Sequence, residues 1–443
     1  MKKKIGFISF RISGTDGVSL ETLKWAEVLE RNGHECYFMG GELDIPIDRS
    51  FVVPEAHFKH PEIKKLYDVA FGASIRPREL SDGLHEYRER LKEKVYEFIE
   101  KFDLDMLIPE NALTIPLNLS LGMALTEVIA ETRIPVIAHH HDFFWERKRF
   151  LSNCVWDYLN ASYPPHLNSI QHVVINSSAQ NQLALRFGIA SALIPNVMKF
   201  ETPPAPVDEY ARDVRESFGI GEDELMILQP TRVVQRKGIE HAIELVARLG
   251  RSKLKKRPVL VISHASGDEG YEYENRIKEY AELLAIRALF VDDVIDDNRG
   301  TTADGRKIYS LQDIYPHADL ITYPSIFEGF GNAFLEAIYF RKPILVNNYS
   351  IYSFDIRPKG FDVIEMDDFV SDRTVEATRQ VLEDPVLAQR MAETNYQLAL
   401  RYYSYSILET KLSHLFTYQW GRKGSFPAYD STYDGNAVAG VEQ

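Results

Sequence analysis

The chain has 443 residues, 45% of them hydrophobic and 26% charged. That is an ordinary globular composition and more chain than one hydrophobic core usually serves, so two domains of about 200 residues each are expected. Its 51 Lys and Arg against 65 Asp and Glu leave a net charge of −14, which disfavours non-specific attraction to nucleic acid or anionic lipid. Any anionic ligand must then be held by a local cluster of cations. Two cysteines, Cys36 and Cys154, exclude a disulfide framework and fit reduced thiols in a cytoplasmic setting.

The opening MKKKIGFISF carries an apolar stretch that Arg11 cuts short, too short for a secretory segment, and it reads as a first β-strand. The pattern predicts strands over Ile5–Phe10, Glu35–Met39, Met106–Ile108, Pro135–Ala138 and His172–Ile175. Helical spacing separates them, at Leu20, Leu23 and Val28 and again at Leu91, Val95, Phe98, Ile99 and Phe102. The apolar run from Leu113 to Ala130 is interrupted by Asn118, Thr126 and Glu127, so it reads as a buried helix and no integral membrane segment is expected. Strand-like Ala192–Ile194 is followed by the stiff Thr202-Pro203-Pro204-Ala205-Pro206, taken as the linker between a first domain over 1–201 and a second over 207–400.

The second half repeats the rhythm, with strands near Met226–Gln229, Val259–Ile262, Leu289–Val291, Leu320–Tyr323 and Ile344–Val346. The fold class is therefore α/β, with two open parallel sheets covered by helices and a ligand expected at the carboxyl ends of their strands. After Trp420 the apolar periodicity is lost, and 421–443 reads as a loose tail.

Four segments carry candidate chemistry. In Ser13-Gly14-Thr15-Asp16-Gly17-Val18, Gly17 would let a ligand approach a helix N-terminus, although the spacing is not a dinucleotide fingerprint and an ordinary turn explains it equally well. In His139-His140-His141-Asp142 the residues alternate along an extended chain, so at most His139 and His141 share a side. A metal site from these neighbours alone is awkward, and a cleft role for His141 is preferred. Glu110, Asp142 and Trp145 are candidates for an acceptor side, with Trp145 equally readable as core. In Thr231-Arg232-Val233-Val234-Gln235-Arg236-Lys237-Gly238, Arg232 and Lys237 are placed to neutralise a diphosphate, or are simply solvated. In SIFEGFGNAFLEAIYFRKP, Glu328 precedes a glycine turn and Glu336 lies two helical turns further on. The helix start between them suits an anion, and the carboxylates suit hydroxyl-rich groups.

Taken together, the glycine turn, HHHD, TRVVQRKG and the E-x7-E element resemble the retaining nucleotide-sugar glycosyltransferases of family 4, over roughly residues 5 to 415. The resemblance implies the GT-B fold, two Rossmann-like domains facing each other across a cleft, the first on the acceptor side and the second binding the nucleotide sugar. It implies a last helix, over Tyr402–Tyr418 within 401–420, that crosses back to the first domain. It assigns Glu328 to the donor sugar near the reaction centre and Glu336 to the ribose hydroxyls. Arg232 and Lys237 take the diphosphate, helped by the backbone of Gly331, Asn332 and Ala333. His141 takes the donor sugar, and Gly17 the phosphates and acceptor. Asn332, where the family often has an apolar residue, and a lone Gly17 in place of a Gly-Gly pair are departures.

The function so implied is transfer of a hexosyl group from a UDP-glucose or GDP-mannose type donor to a hydroxyl of a soluble small acceptor, with retention and with no required metal or cofactor. Glu328, His141, Arg232 and Lys237 would carry it. The acidic charge and the absence of a basic amphipathic helix favour a sugar, sugar phosphate or glycosylglycerate over a lipid. The alternatives are a metal-dependent hydrolase built on the HHHD cluster, and a nucleotide-sugar-binding protein without turnover. Oligomeric state is left open.

Overall fold

The computed structural model describes residues 2–14, 16–266 and 270–421. The expected tail over 421–443 lies, past Gly421, outside them. Two parallel sheets account for the two halves. The first contains β1 (Lys4–Ile8), β2 (Glu35–Gly40), β3 (Ser50–Val52), β4 (Met106–Pro109), β5 (Val136–His140), β6 (Ile170–Val174) and β7 (Ser191–Leu193), in the order β3-β2-β1-β4-β5-β6-β7. The second contains β8 (Glu224–Gln229), β9 (Arg257–Ile262), β10 (Ala288–Phe290), β13 (Leu320–Tyr323), β14 (Ile344–Asn347) and β15 (Ile364–Met366), in the order β10-β9-β8-β13-β14-β15. A separate hairpin pairs β11 (Gly300–Thr301) with β12 (Lys307–Ile308).

Central strands are buried on both faces, which is why they read as unbroken apolar runs rather than alternating ones. Every residue of Met106–Pro109, Val136–His140 and Glu224–Gln229 is buried. In the first sheet, Ile5, Phe7, Met106, Ile108 and Ile137 face Trp25, Val28 and Leu29 of the helix Gly17–Arg31, whereas Ile8, Leu107, Val136 and Ala138 face Leu91, Val95 and Phe98. The second sheet divides likewise, with Ile227, Leu260 and Leu345 toward Ile239, Ile243 and Val246, and Met226, Val261 and Ile321 toward Phe334 and Ile338.

The order of each sheet reverses once, between β1 and β4 and between β8 and β13. Loops leaving neighbouring strands at such a point turn to opposite faces and open a crevice at their carboxyl ends. The crevices of the two sheets meet. Asn176 Nδ2 after β6 donates to the Gly329 carbonyl (2.7 Å), Asn196 Nδ2 donates to Asn332 Oδ1 (2.7 Å), and the Ser177 N–H donates to Asp355 Oδ2 (2.7 Å).

The last described helix starts and ends three residues later than the expected Tyr402–Tyr418. One helix, Pro385–Tyr403, stops at extended Ser404, and a second runs over Tyr405–Gly421. The break has a cause far away in sequence: the Glu201 carboxylate accepts the Tyr405 and Ser406 N–H groups (3.4 and 2.6 Å), satisfying the start of a new helix. That helix sends Tyr405, Leu408 and Leu412 into the core under the first sheet. No helix among the described residues is long and apolar enough to cross a membrane.

Candidate active site

The loop after β13 builds the centre. Glu328 is buried between two cations of the loop after β8: Lys237 Nζ donates to Oε1, and Arg236 Nη1 lies 3.2 Å from Oε2. A short 3-10 turn, Gln235–Lys237, turns both side chains toward Glu328. It ends at Gly238, whose φ of +59° suits glycine and where a Cβ would lie 2.5 Å from the Pro324 carbonyl oxygen, so only glycine lets the two loops touch. Burial alone would raise the Glu328 carboxyl, but the Lys237 and Arg236 charges outweigh it and hold the acid below its usual range. Burial pulls the Lys237 ammonium down, against the opposing pull of Glu328.

Next comes the helix Asn332–Tyr339, whose N-cap Gly331 has a φ of +123°. Its first N–H groups, on Asn332 and Ala333, have no side-chain cap. Gly17 abuts this helix start, since a Cβ there would lie 3.5 Å from Asn332 Nδ2. Asn332 thus has a local reason for being polar: it bridges the halves through Asn196. Glu336 is half-buried, and Tyr315 donates its O–H to Oε2 (2.7 Å); burial raises its carboxyl.

Arg232 is exposed, with no ion pair among the described residues, and its charge reaches Lys237 and His264. His264, just past β9, was not singled out from the sequence. Burial, then the charges of Arg232 and Lys237, push it down to about 4, so it stays neutral beside them. Its only forewarning is a Ser-His pair at a strand end. Arg236 was also missed, because its loop offers three cations and only the fold decides which of them face Glu328.

The first sheet contributes a histidine cluster. His139 and His141 lie on one side, as alternation along β5 expects, and both reach Glu110 Oε2, from Nδ1 at 2.9 Å and Nε2 at 3.2 Å. His140 points the other way, with Nε2 2.8 Å from His172 Nδ1. Burial raises the Glu110 carboxyl to about 7 and lowers the His139 imidazole to about 3. Burial also lowers His141, whose carbonyl oxygen would lie 3.5 Å from a Cβ on Gly329. Glu110, His139 and His141 offer ligand atoms within 4.8 Å of one another, whereas Asp142 is turned away to Asn111 Nδ2 (2.7 Å) and Arg147. The HHHD grouping is therefore not a ligand set as it stands in sequence.

Two acceptor-side candidates have other surroundings. Glu110 is fully buried beneath His141. Trp145 stacks between Phe143 and Phe187 and donates its N–H to Gln182 (2.7 Å), so it packs against the helix Ser177–Phe187. Its packing partner Phe187 is 42 positions away, beyond any local spacing.

Two facing parallel sheets, with a cation-clamped carboxylate at the mouth of one and a histidine from the other beside it, define a glycosyltransferase of the GT-B architecture. Residues 305–398 match the model of the family "Glycosyl transferases group 1". Over 441 residues the chain is 32% identical to the mannosylglucosylglycerate synthase of Thermotoga maritima, covering 93% of this chain and 99% of that protein. It is 33% identical over 383 residues to the mannosylglucosylglycerate synthase of Petrotoga mobilis, covering 82% and 86%. Among solved structures, a glycosyltransferase from Rickettsia africae ESF-5 superposes with a TM-score of 0.67 at 14% identity, over 94% of this chain and 98% of that one. The chain belongs to the group 1 glycosyl transferases, with the mannosylglucosylglycerate synthases as relatives across nearly its whole length.

Proposed function

We propose that this glycosyltransferase moves a hexosyl group, mannosyl by analogy with its relatives' names, from a nucleoside-diphosphate sugar to a hydroxyl of a glycosylglycerate, with retention of configuration. The observation that carries the reading is the buried Glu328 carboxylate clamped by Lys237 and Arg236, one turn before a helix start that is open to an anion. In this reading the donor diphosphate lies against the N–H groups of Asn332 and Ala333, with Arg232 and Lys237 as counter-charges. As the bond from the anomeric carbon to the leaving phosphate oxygen breaks, negative charge grows on the diphosphate and positive charge on the ring. The cations stabilise the first and Glu328 the second. The acceptor oxygen bonds to the anomeric carbon on the same face, and its proton passes to the departing phosphate. His141, neutral, accepts or donates one hydrogen bond to the donor sugar. Glu336 takes the ribose hydroxyls, and no metal or cofactor is needed.

A panel of nucleotide sugars, headed by GDP-mannose and UDP-glucose, tests this with and without a chelator, comparing the wild type with Glu328→Ala and Arg232→Ala. The expected result is selective donor binding and slow, chelator-resistant release of nucleoside diphosphate, reduced at least about 100-fold in Glu328→Ala, in line with the cost of losing one electrostatic stabiliser. Failure to bind any nucleotide sugar, or activity abolished by chelation, overturns it.

A further inference from the structure

We infer that Arg11, with His57 beside it, forms an anion subsite that holds the carboxylate of the acceptor; the inference rests on the glycosylglycerate reading above. Arg11 follows β1 at the reversal point of the first sheet, on the loop whose far end, Gly17, abuts the donor-side helix at Asn332. Its side chain is 33% exposed, and the guanidinium carbon lies 5.8 Å from the centre of the Phe58 ring. Its ion pairing is incomplete: Nε lies 3.3 Å from Asp16 Oδ2, and among the described residues neither terminal nitrogen has a hydrogen-bond partner. The paired N–H edge of the guanidinium, the edge that fits a carboxylate fork to fork, is left over.

His57 supplies a second donor. Its Nδ1 accepts the Lys59 N–H (2.9 Å), so Nε2 carries the ring proton, and Nε2 is buried without a hydrogen bond although Glu42 Oε2 stands 3.3 Å away. The two neighbouring carboxylates, besides facing Arg11 and His57, have other partners. Asp16 caps the helix Gly17–Arg31, accepting the Val18 and Ser19 N–H groups (3.1 and 3.2 Å) and the Ser19 hydroxyl (2.8 Å), and Glu42 accepts the Ser13 hydroxyl (3.1 Å). Two other cations of this half are tied down, Arg147 to Asp142 and Lys24 to Glu21 and the Val197 carbonyl. A protein of net charge −14 that binds an anionic acceptor needs such a local cation, and the carboxyl edge of the acceptor-side sheet is where it is useful.

Transfer kinetics with two acceptors that differ by one carboxylate, 2-O-glucosylglycerate and 2-O-glucosylglycerol, test the assignment in the wild type, Arg11→Gln and Arg11→Lys. The expected result is that Arg11→Gln raises KM for glucosylglycerate about 10- to 100-fold, the range of a lost charge-assisted hydrogen-bonded pair. KM for glucosylglycerol and acceptor-free donor hydrolysis should stay within about twofold of wild type, and Arg11→Lys should recover part of the loss. Intact donor hydrolysis shows that the variants are folded. A wild type that uses both acceptors equally well, or an Arg11→Gln variant that weakens both alike, overturns the subsite and leaves the transferase reading standing. A wild type that transfers to neither overturns both.

Discussion

Glu110 shows how one buried acid organises its surroundings. Its Oε2 is hydrogen-bonded to His139 and His141, it lies near Glu21 and the Thr22 hydroxyl, and its Oε1 has no partner among the described residues. Burial lifts its carboxyl from 4.5 to about 7. Between those pH values the folded chain keeps a proton that the unfolded chain releases, so this group lowers stability as pH rises through the interval, and its cost is complete above it. The Glu110→Gln variant does not titrate there. Its stability relative to wild type should therefore climb from about pH 4.5 to about pH 7 and then level off, as read by urea midpoints across a pH series. His139, kept neutral by burial, gives the opposite slope below its usual range. A relative stability that is flat with pH would show Glu110 to be ionised throughout. The same residue positions His141: with Nε2 hydrogen-bonded to Glu110, only Nδ1 is left for a sugar hydroxyl.

At the scale of elements, the turn Glu328–Gly331 and the helix after it depend on one glycine. At Gly331 a Cβ would stand 2.6 Å from the Tyr349 hydroxyl, at a backbone angle that other residues rarely adopt. Gly331→Ala should therefore destabilise the protein by about 1–3 kcal/mol and weaken donor binding, because the helix start must shift. Urea unfolding and donor titration measure the two effects, and unchanged donor affinity would separate the turn from the site. Such elements were readable because their causes are local: glycine turns, alternation that sets His139 against His140, and apolar runs that become β1, β4, β8 and β13. What escaped has non-local causes. β3 and β15 are three-residue edge strands made only by pairing with β2 and β14. The break at Ser404 is set by Glu201, and Trp145 by Phe187. Within TRVVQRKG the spacing marked a cationic loop, but the turn that aims Arg236 at Glu328 needed Gly238 to meet Pro324.

Across the whole molecule, polar bonds join the halves at the cleft, among them Asn176 to Gly329, Asn196 to Asn332 and Ser177 to Asp355. Single hydrogen bonds of this kind would not by themselves hold the cleft shut if it opened and closed around a ligand. An apolar tie runs through the last described helix, which follows the second sheet in sequence yet buries Tyr405, Leu408 and Leu412 under the first. Leu408 is completely buried there, far along the chain from the loops that hold Glu328 and Lys237. Removing three carbons from that position loses burial and leaves a cavity, so Leu408→Ala should cost about 2–5 kcal/mol of stability. Nucleotide-sugar binding should survive at temperatures where the variant stays folded, because β8, β13 and their loops do not rest on this helix. Denaturation followed by fluorescence, together with donor titration below the transition, reads both effects. A loss below about 1 kcal/mol would mean that the helix is only loosely docked on the first sheet, whereas lost donor binding in a folded variant would mean that the tie also sets the geometry of the cleft.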